Sequence, residues 1–424
     1  MLSNLLLLLF FVLVFLIFFG LLKNIGWQIS AVLSFLFSIV LSSSALTLSL
    51  FFEINYIVIL VALVILSLFI YYKLRGQIKS PTVFELTLTD LLLFVFIVFS
   101  TYRFFHYANR WGDWDAWAIW NLKAKLLVSS ATWKDIFNPL LEYSHRDYPL
   151  LLSSIIASVW KIIGSFDPLV PLFFSYLIFI ILVCTAFYSM RSRVISCFFL
   201  LILMLDENFI ALAASQFADT LLALFIFISV FLYHAYVGSK DRKLLLALGF
   251  AASTVVFIKN EGWPFFIMMS LLVVYDQLKV KKNMLLFFTG TSFFIIIAIL
   301  FKIFYAPSNY LFNDQNKLIA LKLFDLKRYL VILRYFLSEF VIRYSLVVVL
   351  FLAIILFGVK LHLQPTIYLI VGMAITYFFI YVITPEDLEW HLLTSINRLF
   401  HQLYPSVLFI LFYNLDNFKT KFAI

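Results

Sequence analysis

A chain of 424 residues that is 64% hydrophobic and only 12% charged, with a mean hydropathy of +1.06, carries more apolar surface than a soluble core can hide, so it is an integral membrane protein with many spans. Its net charge of +9 would suggest an anionic partner in a soluble protein, but most lysines and arginines sit in short loops where they set orientation, which argues against nucleic acid. Cys184 and Cys197 both fall inside apolar runs, which argues against a disulfide framework and leaves the redox compartment open.

Apolar segments long enough to cross, at about 20 residues each, begin near residues 5, 28, 54, 88, 169, 194, 219, 243, 263, 284, 345, 366 and 403. The first, residues 5–22, has neither a basic leader nor a small-residue cleavage signal and reads as a retained span. Nothing alternates like a barrel strand, so the spans are helices. The expected fold is all-α and polytopic, with about 13 spans. Residues 1–75 carry a single acid, Glu53. This gives N-terminal scaffold helices over 1–87 and a membrane core over 88–424, with outward loops at 106–168 and 303–343.

Basic residues at 74–80, 191–193, 240–243 and 279–282, with Lys360 and the tail 419–421, read as cytoplasmic. The segments between them then face outward: Asp113, Asp115, Asp147, Asp219, residues 259–261, the loop 305–328 and residues 386–398. This holds only if YPLLLSSIIASVWKIIG, residues 148–164, dips into the membrane without crossing, since a crossing inverts every later loop. Its proline start and Lys161 fit that reading. Counting backward places the N-terminus outside. Residues 303–343 mix charges with apolar residues at helical spacing and read as a helix lying along the interface.

Chemistry gathers in the first outward loop. RWGDWDAWAIWNLKAKLL, residues 110–127, sets Asp113 and Asp115 among Trp111, Trp114, Trp117 and Trp120 directly after an apolar run. Tryptophans favour the headgroup level, so they serve as a membrane anchor or line a cavity. One aspartate also suits the N-cap of the helix that follows. HRDYP, with His145 and Asp147, closes the same loop. Asp219 stands at the mouth of an apolar span, where an acid is costly without a partner or a cavity. Lys259 and Glu261 form either a local ion pair or a polar wall. Glu386, Asp387, Glu389, His391, Arg398 and His401 crowd the last outward turn, with His391 and Arg398 seven apart on nearly one helical face.

The DWDAW element resembles the first outward loop of the GT-C superfamily of lipid-dependent glycosyltransferases, in which an aspartate just after a span begins an amphipathic helix. QFADTLLALFIF (216–227) resembles the element in which an acid opens the span after a short outward turn. Residues 148–164 resemble the segment closing the first loop. TPEDLEWHLLTSINRLFHQLYP (384–405) is similar to a C-terminal element of a branch related to the protein O-mannosyltransferases and the lipid A aminoarabinose transferase. The likeness covers roughly residues 88–405, by order and side more than by one string.

The resemblance implies transfer of a sugar from a polyprenyl-phosphate donor to a lipid or glycan acceptor, at the outward face of a cytoplasmic membrane. A carboxylate would take the proton of the acceptor hydroxyl or amine, with Asp115 the first candidate and Asp113 the second. In the family a glutamate usually follows the loop aspartate, whereas Ala116 follows Asp115 here. Arg398 could hold the departing phosphate as a planar fork, unless an acidic neighbour neutralises it. Lys123 or Lys125 could meet the same phosphate or snorkel to headgroups. Asp147, Asp219, Lys259, Glu261 and His391 would shape the sugar pocket. A divalent cation on Asp113, Asp115, His145, Asp147 and Asp219 stays open, although no HExxH, paired CxxC or calcium loop is present. The rivals are a transporter or flippase for lipid-linked sugars, with the same groups lining a path, and a surface-polysaccharide polymerase or ligase.

Overall fold

The computed structural model describes residues 1–75, 88–278, 281–308, 316–356 and 365–422. Most of the basic loop 74–80, residues 279–280, Lys360 and part of the loop 305–328 lie outside the described residues. Those described form helices and turns, with no strand among them. That is what a lipid-exposed backbone with no external partners demands.

Three N-terminal helices, α1 (Leu2–Leu22), α2 (Trp27–Phe51) and α3 (Tyr56–Leu74), pack on one another. They are followed by α4 (Leu88–Tyr107), the short α5 (Asn121–Ser129) and α6 (Leu151–Ile163), then α7 (Leu169–Tyr188). Next come α8 (Arg193–Leu205) and α9 (Glu207–Ala214), bent by 75° at Asp206, and α10 (Ala218–Ser239). The chain continues through α11 (Lys243–Ile258), α12 (Gly262–Gln277), α13 (Lys281–Phe304), α14 (Asn316–Phe324), α15 (Leu326–Leu356), α16 (Pro365–Ile383) and α17 (Leu388–Phe422).

Eight helices among the described residues, α1 to α4, α7, α10, α13 and α16, are long and apolar enough to cross a membrane, or nine spans if the bent pair counts as one. The chain is thus an all-helical, multi-pass membrane protein. Its axis is α10, apolar on every side and buried at each residue from Ala218 to His234. Close approach elsewhere depends on absent side chains. A Cβ on Gly249 of α11 would lie 2.1 Å from the Phe287 carbonyl oxygen, and one on Gly290 of α13 would lie 2.1 Å from that of Leu246. The two helices therefore meet backbone to backbone.

Contacts between helix ends define two poles. Asn24 bonds Asp241 at 2.6 Å, Tyr188 bonds Asp90 at 2.8 Å, and the amides of Arg191 and Ser192 donate to Asp416; these mark the basic pole. At the other pole Asp219 opens α10, so α1 starts on the Asp219 side. Segment 148–164 has both of its flanks at the Asp219 pole. Its helix α6 has 13 residues, too few to cross. Asp147 before it meets Asn260 and Lys302, and Asp167 after it lies 3.8 Å from Arg110, all at the Asp219 pole.

Two expectations change. Residues 303–343 do not form one helix along the interface: α14 stops at Phe324, and α15 runs for 31 residues with no glycine or proline to break it. The last helix likewise begins at Leu388, well before residue 403, and passes through Pro405. Charges in the N-terminal portion of each helix hid its continuity with the apolar part.

Candidate functional site

The loop after α4 and the turn before α10 are stitched together by backbone contacts. Asp113 N donates to Ser215 O at 3.1 Å. Gln216, at a left-handed φ of 65°, donates from Nε2 to the carbonyls of Asn109 and Arg110 and accepts from Asn121 Nδ2. Gly112 has φ +71°, and a Cβ there would sit 2.9 Å from Ser215 O and 2.5 Å from the Ala116 Cβ. Only glycine fits. Residues Ala116–Trp120 then form a π-helical turn leading into α5, a departure that often marks function. Neither Asp115 before the π turn nor Asp219 in α10 caps a helix with its side chain, so the capping role falls away for both.

Asp219 is instead the centre of a buried network. Its side chain is fully shielded, and Oδ1 accepts from Lys259 Nζ at 3.0 Å and from Gln402 Nε2 at 2.6 Å. Its Oδ2 accepts from Arg398 Nη2 at 2.9 Å and Nε at 3.2 Å. The same Nη2 lies 2.6 Å from Asp115 Oδ2, so one guanidinium joins the first loop to α10 and α17. Arg398 also lies over the Phe217 ring at 4.6 Å. Lys259 turns to Glu261 at 3.2 Å, which is the local ion pair of the two readings. Gln402 is fixed in turn by Tyr377 at 2.6 Å. Asp219 therefore keeps two donors without Arg398, whereas Arg398 is the ion-pair partner of Asp115.

The HRDYP loop closes over this network. Asp147 Oδ2 accepts from Asn260 at 2.7 Å and its carbonyl from Lys302 Nζ at 2.6 Å. His145 takes a left-handed φ of 47° and stacks on Tyr148, which stacks on Trp120. Burial pulls the His145 imidazole below its ordinary pKa, with Asp115 and Asp147 opposing. Lys123 is fully buried and donates to the carbonyls of His145 at 2.7 Å and Tyr148 at 3.4 Å. Burial lowers its pKa to about 7, against the pull of Asp147 and with added push from Lys302. It holds the loop instead of reaching toward a donor.

Three sequence candidates stand apart. Lys125 is exposed and lies over Phe166 at 5.5 Å. His391 bonds Thr384 Oγ1 at 2.8 Å and packs on Tyr381, which commits its ring to the turn between α16 and α17. Asp113 is exposed, makes no side-chain hydrogen bond or ion pair among the described residues, and has its pKa raised by partial desolvation. Three residues at the site were missed. Gln402 follows Arg398 by four on one helical face, a spacing that was readable; Asn260 lay inside a noted motif; Lys302, in the last turn of α13, resembled an ordinary snorkelling lysine.

Several buried polar atoms around the network have no hydrogen-bond partner among the described residues, among them Trp120 Nε1, Asn260 Oδ1 and Glu261 Oε2. Such atoms are costly unless water or a ligand satisfies them. No group of three His, Cys, Asp or Glu side chains among the described residues is placed to hold a metal ion. Comparison with protein-family models, curated proteins and solved structures finds no match to the chain.

Proposed function

We propose that this protein is a GT-C-like membrane glycosyltransferase that moves a sugar from a polyprenyl-phosphate donor to an acceptor at the outward face of a cytoplasmic membrane. The observation that carries the reading is the shared guanidinium of Arg398. Asp219 fixes it from below with both Nε and Nη2, while Asp115 holds it by a single contact. Its Nη1 has no protein partner among the described residues. A donor phosphate would take Nη1 and displace Asp115 from Nη2, making the fork-to-oxyanion contact for which arginine is suited. Asp115, released beside the sugar, then takes the proton of the attacking hydroxyl or amine. The bond from the anomeric carbon to phosphate breaks as the new bond forms, with inversion, and Arg398 stabilises the charge on the departing phosphate. Lys259 and Glu261 supply the polar wall, and Lys123 positions the loop above it.

In this reading thirteen passes bring the chain from an outward N-terminus to a cytoplasmic C-terminus: the eight long apolar helices, the bent pair, α11, α12, α15 and α17. The convergence of Asp115 and Asp219 on Arg398, with Lys259 and Glu261 beside them, supports a catalytic site at this pole.

The test is transfer of label from a radiolabelled polyprenyl-phosphate sugar by purified protein. Asp115→Asn should lower turnover by about 10²-fold or more, the usual range for a lost proton acceptor. Loss in Asp113→Asn alone would move the base to Asp113. Full turnover in both variants would overturn the assignment, and label carried across liposomes without transfer would favour a flippase.

A further inference from the structure

The pole opposite Asp219 holds a second polar concavity. A cavity of about 280 Å³ lies between the last turns of α10 and α12 and the first turn of α16, lined by Tyr233, Tyr236, Lys240, Asp276, Gln277 and Pro365 among others. That volume is at the small end for a ligand site. Its floor is well tied: Tyr236 donates to Gln277 Oε1 at 2.9 Å, and Asn283 Nδ2 donates to Gln277 Oε1 at 2.8 Å and Tyr236 Oη at 3.2 Å.

The rim carries one charge of each sign. Tyr233 donates to Asp276 Oδ2, and Asp276 Oδ1 has no protein partner among the described residues. Lys240 is exposed, with its ammonium 5.8 Å from the Tyr236 ring centre and no acid bonded to it among the described residues. The start of α16, a 19-residue helix with Pro365 first, adds the positive end of its dipole. Val237, in the lining, and Tyr275, Leu278 and Tyr368, within three residues of lining positions, are all exposed, as suits a site beside acyl chains. An acid, a lysine and a helix start in one lining fit a ligand bearing an ammonium next to a phosphate.

We propose that this cavity binds the headgroup of an aminophospholipid. The ammonium donates to Asp276 Oδ1, and the phosphate meets Lys240 and the first turn of α16. A choline headgroup has no N–H to donate, and an anionic glycerol headgroup sets no cation against Asp276, so both are disfavoured by groups left unpaired. The site stands apart from the network around Asp219 and does not depend on glycosyl transfer.

The experiment is native mass spectrometry of the purified full chain from nanodiscs holding equal parts phosphatidylethanolamine, phosphatidylcholine and phosphatidylglycerol. Retained phosphatidylethanolamine should exceed each of the others at least threefold. Asp276→Asn should abolish its advantage over phosphatidylcholine, and Lys240→Gln, a change at an exposed side chain, should reduce its retention. Equal retention of the three lipids overturns the proposal, as does a preference unchanged in both variants. Retention led by phosphatidylglycerol would mean that only the basic loops attract lipid. Thermal protection by soluble O-phosphoethanolamine matching that by the lipid would overturn the lipid assignment in favour of a free zwitterion.

Discussion

Asp219 and Asp115 share a guanidinium but not an environment. Asp219 is fully shielded and neutralises Lys259 and Arg398 together, while the Asp115 side chain is 17% exposed and pairs only with Arg398 among the described residues. Removing the charge of Asp219 leaves two buried cations without their common partner, so Asp219→Asn should cost about 3–5 kcal/mol of stability. Asp115→Asn loses one charge-assisted contact at a wetter position and should cost about 1.5 kcal/mol. Thermal unfolding in detergent measures both, and equal losses would mean that Asp115 is as structural as Asp219. Lys123 adds a pH signature. Its folded pKa of about 7 lies below the ordinary 10.5, so between these values the unfolded chain binds more protons than the folded one. Stability should therefore rise as pH rises above about 7, and fall toward lower pH as charge is forced onto a buried amine. Unfolding temperatures from pH 6.5 to 9 should climb in the wild type and climb less in Lys123→Met. Parallel curves would remove Lys123 as the source.

At the scale of elements, the sequence was informative wherever an apolar run was bounded by punctuation. The starts of α7, α10, α11, α12 and α16 were all readable to within a few residues, and so was the short α6 between Pro149 and Gly164. Continuity through charge was not. Hydropathy falls where α15 and α17 carry charged residues near the Asp219 pole, yet a helix needs only its backbone bonds to go on, so two spans appeared to start late. The bend at Asp206 was also invisible, because its apolar flanks read as one run and an aspartate that caps α9 by accepting from Phe209 N at 2.8 Å looks like any polar interruption. Among the site residues, Asp219 was named from the cost of an acid at the mouth of an apolar span, Lys259 and Glu261 from their place on the same expected face, and Asp115 and Arg398 from the resemblance to GT-C enzymes. Which of them touch could not be read, since the contact between Arg398 and Asp219 joins residues 179 apart. The glycine contact between α11 and α13 makes an element-scale prediction. Gly249→Ala and Gly290→Ala push a methyl into a facing carbonyl and should each cost about 1–3 kcal/mol. Gly238→Ala, with nothing within 4 Å of the added carbon, is the control, and similar losses at all three positions would reduce the effect to helix propensity.

The molecule as a whole depends on parity. Residues 115 and 398 can meet only if the chain crosses the bilayer an even number of times between them, and α6 decides the count. Its 13 residues lie with both flanks at the Asp219 pole, where Asp147 meets Lys302 and Asp167 approaches Arg110. Single cysteines in a background lacking Cys184 and Cys197 can test this in intact cells and inverted vesicles with a membrane-impermeant maleimide. Glu142→Cys and Ser165→Cys, on either side of α6, should label from one face; Arg191→Cys and Ser239→Cys should label from the other. All four side chains are exposed, so failure to react would not follow from burial. Residues 142 and 165 appearing on opposite faces would make α6 a span, and the Asp115 to Arg398 contact would then need another, undetected crossing to survive. Labelling of 142 and 165 together, with 191 and 239 opposite, ties the first loop, the mouth of α10 and the outer part of α17 to one leaflet, the arrangement a lipid-borne donor requires if its phosphate is to meet Arg398 while its chain stays in the membrane.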